Sequence, residues 1–252
     1  MAGHSKWANI KHKKARTDEK RGKEFTKIGK ELIIAARAGG GDPENNARLK
    51  MMIQKAKAIN IPNENIMRAI KRGTGEVEGD AIEEINYEGY GPGGVAILLS
   101  IATDNRNRTA SDIRHLFSKY GGNLGETGCV GWMFKRCGLL EVNKEDSPLD
   151  IEELELLAIE SGAEDIRQDE DSLEIIIEPE AFEEVKALLE KEISINWNLA
   201  EITMIPENTV EVSDFEIAEK LLKLIDVLED HDDVQDVYSN FSIPDEILDQ
   251  MQ

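Results

Sequence analysis

Leu139-Leu140-Glu141-Val142, Leu173-Glu174-Ile175-Ile176-Ile177 and Leu199 to Ile205 are short runs dominated by apolar and β-branched residues, the composition of buried strands, and Ala163 to Arg167, just ahead of Leu173, reads as a fourth strand. Leu149 to Glu160 and Pro179 to Lys191 lie between them and place their apolar residues at helical spacing, so both read as helices. The order from about Lys135 to Ile205 is therefore βαββαβ, the ferredoxin-like arrangement. On either side of it the pattern is incomplete. Downstream, Asp214 to Glu229 reads as a helix with Ile217, Leu221, Leu224, Ile225 and Leu228 inward, and Val234 to Tyr238 as a strand. Upstream, Ile85 to Tyr87 and Val95 to Leu99 flank a Gly/Pro loop as a hairpin. A helix from Thr109 to Tyr120 follows, with Thr109 and Asp112 at capping-box spacing, and Val130 to Phe134 reads as a further strand. The two flanks complete each other, which makes the βαββαβ unit an insertion.

The remaining N-terminal part is helical. Thr17 to Ala38 forms one amphipathic helix stopped by Gly39-Gly40-Gly41 and Asp42-Pro43, signals that end one helix and begin the next. Asn45 to Asn60 and Asn63 to Arg72 follow, with Ile61-Pro62 between them and Asn63 in cap position. The expected fold class is α+β: a small helical N-terminal domain followed by two ferredoxin-like α+β domains, the third inserted into the second. Domain limits are 1–79, then 80–133 with 207–252, and 134–206 for the insertion.

Charge divides along the same lines. The first 72 residues hold 18 Lys+Arg and 7 Asp+Glu, a net of +11, whereas the other 180 hold 12 and 44, a net of −32. Such segregation is the footprint of a basic domain that grips a polyanion while the rest of the chain repels it. On the first helix Lys20, Lys23, Lys27, Lys30 and Arg37 cluster opposite Phe25, Ile28, Leu32, Ala35 and Ala36, and Arg16 joins them if the helix begins a turn earlier. A same-sign stripe at spacings of three and four repels itself, so it calls for a counter-charge, either phosphate or the chain's own acidic half. Lys6, Lys11, Lys13 and Lys14 precede the helix as a basic arm. Trp7 among them either stacks on a base or anchors the helix entry. Asp104 to Thr109 places Arg106 and Arg108 at a helix start, where cations oppose the dipole unless an anion shares the site. Arg106, Arg108 and Thr109 are thus a possible phosphate site, the alternative being pairing with Asp104 or another carboxylate.

Other chemistries find little support. Cys129 and Cys137 are eight apart without C-x-x-C partners, and His4, His12, His115 and His231 are scattered, so neither a metal site nor a disulfide framework is expected. Gly89, Gly91 and Gly94 formally match G-x-G-x-x-G, but the dinucleotide fingerprint needs a helix after it and here a strand follows. No hydrolase, zincin or Walker motif occurs, so no enzyme activity and no cofactor are expected. The N-terminus lacks a secretory h-region and no apolar run approaches a bilayer span, which points to a cytoplasmic protein, expected to be a monomer.

The run Met1-Ala2-Gly3-His4-Ser5-Lys6-Trp7-Ala8-Asn9-Ile10-Lys11-His12-Lys13-Lys14 closely resembles the opening of the YebC/PmpR family. So do Tyr87 to Ala96, Thr103 to Thr109 and Phe117 to Gly125, in collinear order. The resemblance implies three domains, the third inserted into the second. It implies a transcriptional regulator with DNA binding, or, as in mitochondrial relatives and a bacterial role in easing synthesis of proline-rich sequences, a translation factor on ribosomal RNA. The chain departs from the commoner family pattern at Cys129 and Gly131, where Ser or Ala is usual. Nucleic acid, DNA or ribosomal RNA, is the expected partner, with a protein partner for the acidic domains.

Overall fold

The computed structural model describes residues 18–168 and 171–251. Three helices open it: α1 (Asp18–Gly39), α2 (Ala47–Ala58) and α3 (Asn63–Gly73). Gly40 ends α1 with φ +83°, a conformation that favours glycine. Asn46 then caps α2, its Oδ1 accepting from the Leu49 N–H at 3.0 Å while its amide donates to the Ala35 and Gly40 carbonyls at 2.8 Å each. One buried amide thus starts α2 and ties it to the end of α1. The cap expected of Asn63 is not made, because Pro62 holds the cap position and Asn63 is already helical. Leu32, Ala35, Ala36, Leu49, Met52, Ala56, Ile66 and Ile70 fill the core between the three helices.

The hairpin of β1 (Glu83–Tyr90) and β2 (Ala96–Thr103) follows, turning at Pro92–Gly94 with Gly93 and Gly94 at φ +75° and +74°. Next come α4 (Arg106–Lys119) and the short β3 (Asn123–Leu124). Helix α4 starts three residues earlier than the sequence suggests. Asn105 is its cap, accepting from the Arg108 N–H at 3.1 Å, and Thr109 lies buried inside the first turn. Val130 to Phe134 is not a strand but a 3₁₀ turn, Gly131–Met133, feeding directly into the insertion.

The insertion comprises β4 (Phe134–Asn143), α5 (Ile151–Ser161), β5 (Asp165–Gln168), β6 (Ser172–Ile177), α6 (Phe182–Glu192) and β7 (Leu199–Pro206). Its sheet is antiparallel in the order β5-β6-β4-β7, the ferredoxin-like order for βαββαβ. The chain then returns through β8 (Val210–Glu211), α7 (Phe215–Glu229), β9 (Val234–Ser239), β10 (Phe241–Ser242) and α8 (Asp245–Gln250). Strand β9 pairs with β2, completing a middle sheet of order β3-β1-β2-β9. This sheet is also antiparallel, but its chain enters by the β1–β2 hairpin and so runs ββαβ before the insertion and αβ after it. The overall fold is α+β.

Alternation along β2 assigns the two faces of the middle sheet. Val95, Ile97, Leu99 and Ile101 pack beneath α4 and α7 with Ile113, Phe117, Leu221 and Leu224. On the other face Ala96 and Leu98 meet Val130 of the loop before the insertion and Phe134 and Met204 of the insertion, while Ala102 joins the core of the helical domain. A period-two strand buried on both sides in this way serves three cores at once.

Gly73 lets α3 approach α1, since a Cβ there would run into the Ile33 carbonyl oxygen and lie 2.7 Å from the Ala36 Cβ. Gly73→Ala is expected to destabilise the chain by about 1–3 kcal/mol, the usual cost of overpacking, measured by urea denaturation.

Candidate nucleic-acid interface

Lys6, Trp7, Lys11, Lys13, Lys14 and Arg16 lie outside the described residues, and of Lys20 only the helical backbone is described. Lys23, Lys27, Lys30 and Arg37 of α1 face the middle domain. Lys23 Nζ lies 3.6 Å from Asp230 Oδ2. Lys27 Nζ donates to the Glu229 carbonyl at 2.6 Å. Lys30 Nζ donates to the carbonyls of Ala102 at 3.1 Å and Asp232 at 2.8 Å, and to Asp233 Oδ1 at 2.5 Å. Arg37 donates to the Ile82 carbonyl at 2.8 Å. Lys23, Lys27 and Lys30 of the stripe expected to meet phosphate are thus matched by the C-terminal end of α7 and the turn after it, and Arg37 by the residue before β1. The negative end of the α7 dipole suits ammonium groups.

Asp233 is the centre of this contact. Besides Lys30, its carboxylate accepts from Arg108 Nη2 at 2.9 Å and from Thr109 Oγ1 at 2.7 Å, and its side chain is only 5% exposed. Thr103 and Thr109 hydroxyls are 2.8 Å apart beside it. Burial pushes the Asp233 carboxyl up, but hydrogen bonds from Lys30, Thr109 and Arg108 outweigh it and hold the group well below the usual carboxylate range. Arg108 also reaches Asp104 Oδ1 at 2.9 Å, and Arg106 lies 3.6 Å from Glu83. The anion that the first turn of α4 calls for is therefore present, supplied by Asp233 from a distant part of the chain. Of the three residues named as a possible phosphate site, Arg108 and Thr109 meet the Asp233 carboxylate and Arg106 meets Glu83.

A second internal anion lies under the loop before the insertion, and the sequence reading did not single it out. Glu88, buried on β1, accepts from the backbone N–H groups of Gly128, Val130 and Gly131 at 2.7 Å each. Burial raises its pKa and the three N–H donors lower it, with a net downward shift. Gly131 leaves room for it, since a Cβ at 131 would come within 3.3 Å of Glu88 Oε1. In the sequence Glu88 is one of three acids on β1, with Glu83 and Glu84, and nothing in the order of residues sets it apart. Cys129 beside it has its thiol pushed up by burial and by Glu88, and burial pushes Cys137 up to about 11; neither is an activated thiolate.

Cations that keep an open position are few. Lys57, Arg68 and Lys71 of the helical domain, and Arg114 and Lys119 of α4, are exposed, and none of their side chains makes a hydrogen bond or ion pair among the described residues. Lys55, by contrast, reaches Glu201 of the insertion at 3.3 Å, and Arg48 joins Glu31 at 3.0 Å to Glu84 at 2.6 Å. No group of three or more His, Cys, Asp or Glu side chains suited to a metal occurs among the described residues. No described helix is long and apolar enough to cross a membrane.

Replacing Asp233 by Ala leaves Lys30 and Arg108 facing each other without their shared anion. A loss of roughly 3 kcal/mol is expected, as for other broken buried pairs, measured by chemical denaturation. Because the folded carboxyl titrates below its unfolded value of 3.8, its contribution is complete above that pH and is lost as pH falls through the folded value. Below about pH 4 the wild-type chain should therefore lose stability more steeply than Asp233→Asn.

Comparison with known proteins gives these contacts their context. Residues 5–76 match the family model of the TACO1/YebC protein N-terminal domain, and residues 82–241 match that of the TACO1/YebC second and third domain. A probable transcriptional regulatory protein of Syntrophomonas wolfei subsp. wolfei is 62% identical over 98% of this chain and 99% of its own. One from Halothermothrix orenii is 60% identical over 100% of this chain and 99% of its own. The crystal structure of a conserved hypothetical protein from Aquifex aeolicus superposes with a TM-score of 0.83 at 51% identity, covering 96% of this chain and 98% of that one. With both family models matched in order and relatives aligned end to end, the chain belongs to the TACO1/YebC family.

Proposed function

We propose that this chain is a non-enzymatic, nucleic-acid-binding regulator of gene expression, acting as a DNA-binding transcriptional regulator through its N-terminal basic domain. The observation that carries the reading is the charge split, +11 over the first 72 residues against −32 over the rest. Lys6, Lys11, Lys13, Lys14 and Arg16 are its principal phosphate contacts, joined by Lys20. Lys23, Lys27, Lys30 and Arg37 would have to exchange an internal partner for phosphate, so they fall to a secondary role. The names of the relatives support regulation of transcription. The acidic domains repel polyanions and so orient the basic end toward them. On the insertion, Leu156 and Ile159 stand 62% and 60% exposed among Glu152, Glu153, Glu155 and Glu160, the surface best suited to a protein partner.

A specific observation favours a second reading, a ribosome-associated translation factor on ribosomal RNA. The basic face of α1, which a groove-reading helix would lay against base edges, is turned toward the middle domain. Lysines in an arm grip backbone without reading sequence, which suits recognition of RNA by shape.

Ultraviolet crosslinking of tagged protein in growing cells, with recovered DNA and RNA quantified and sequenced, separates the two. Discrete promoter DNA that is lost when Lys6, Lys11, Lys13 and Lys14 are replaced by Glu supports the transcriptional reading. Dominant ribosomal RNA replaces it with the translational one. In vitro the same charge reversal is expected to reduce both affinity and its salt slope, by about one unit per phosphate contact removed; an unchanged slope would rule out the arm as the contact.

A further inference from the structure

Helix α4 is out of character with the part of the chain that contains it. Only 12 Lys and Arg occur after residue 72, and four of them, Arg106, Arg108, Arg114 and Lys119, stand on this one helix against a single acid, Asp112. Its inward face is Thr109, Ile113 and Phe117, which turns Asn107, Ser111, Arg114, His115, Ser118 and Lys119 to solvent, all of them exposed. Internal pairing accounts for the first turn, where Arg106 meets Glu83 and Arg108 meets Asp104 and Asp233. It does not account for the rest. Arg114 has no hydrogen bond or ion pair among the described residues, and the Lys119 ammonium has only the Tyr120 ring, 5.3 Å away. The nearest carboxylate on the helix, Asp112, faces His231 at 3.8 Å. An exposed face of two cations with hydroxyl and amide donors between them, flanked by one carboxylate that is turned to His231, is complementary to an anionic backbone.

The placement adds to the composition. Arg108 of α4 and Lys30 of α1 share the Asp233 carboxylate, so α4 begins where the basic helix docks. Its 14 residues extend the cationic surface about 20 Å across the middle domain.

We propose that the solvent face of α4 is a second contact for the phosphodiester backbone of a polynucleotide, with Arg114 and Lys119 as the charged contacts and Asn107, Ser111 and Ser118 as neutral donors. This rests on the nucleic-acid reading above and deepens it. Binding at two places held together through Asp233 fixes the orientation of the protein on its target, which an arm alone cannot do.

The test uses the full chain, a mixed-sequence DNA duplex and a structured RNA hairpin, with Kd measured over a range of salt concentration. The double variant Arg114→Ala/Lys119→Ala is expected to weaken binding to whichever probe the wild type prefers and to lower the salt slope by about two, with an unchanged melting temperature. Arg114→Lys, which keeps the charge, should retain the wild-type slope. A double variant with wild-type affinity and slope, beside an arm variant that loses both, overturns the α4 contact and leaves the functional reading standing. A wild-type chain that binds neither probe overturns the functional reading and the α4 contact with it.

Discussion

The Asp233 carboxylate is the constraint on which the arrangement of the N-terminal and middle domains depends. Lys30 reaches it from α1, Arg108 and Thr109 from α4, and Asp233 itself precedes β9. A nearly buried carboxylate is tolerable only with several charge-assisted partners, and here they come from two elements, α1 and α4. Removing the carboxylate leaves Lys30 and Arg108 without the anion they share, so the contact between the two helices depends on it. The Lys27 hydrogen bond to the Glu229 carbonyl and the Lys23–Asp230 pair extend the same docking along the end of α7, the latter worth less because exposed ion pairs gain little.

The middle sheet explains why such a lock is needed. Strand β2 is buried on both faces, yet its second face is divided between the helical domain, which receives Ala102, and the insertion, which receives Ala96 and Leu98. Each share is small, and apolar burial has no direction of its own. Specific polar contacts then set the orientation: Asp233 with Lys30 on one side, Lys55 with Glu201 between the helical domain and the insertion. Glu88 plays a comparable part within the middle domain by collecting three N–H groups of the loop that leads into β4.

For function, the consequence is a redistribution of positive charge. A stripe on α1 that repels itself is neutralised by docking. Among the described residues, the positive groups left open include Lys57, Arg68 and Lys71 of the helical domain and Arg114 and Lys119 of α4. A binding surface built from these spans two domains whose relative position is set by one carboxylate.

Much of the fold was legible in the sequence. The four runs from Leu139 to Ile205 and their intervening helices show their periods plainly, because a strand facing a single core must alternate or run apolar and a helix must repeat near 3.6. The misses were local: Asn63 displaced from its cap by Pro62, α4 capped by Asn105 rather than Thr109, and Val130 to Phe134 turning instead of extending. In each case a residue with two acceptable roles took the one its neighbours left open. The charge division between the N-terminal 72 residues and the rest was a property of the sequence by itself, and with it the demand for a counter-charge to the α1 stripe and an anion beside Arg108. Which anion answers was decided by tertiary structure alone. Asp233 lies 203 residues from Lys30 among 51 acidic residues, and only the packing of β9 beside β2 brings it to both cations, since Coulomb attraction selects partners by distance in space and carries no mark in the order of the chain.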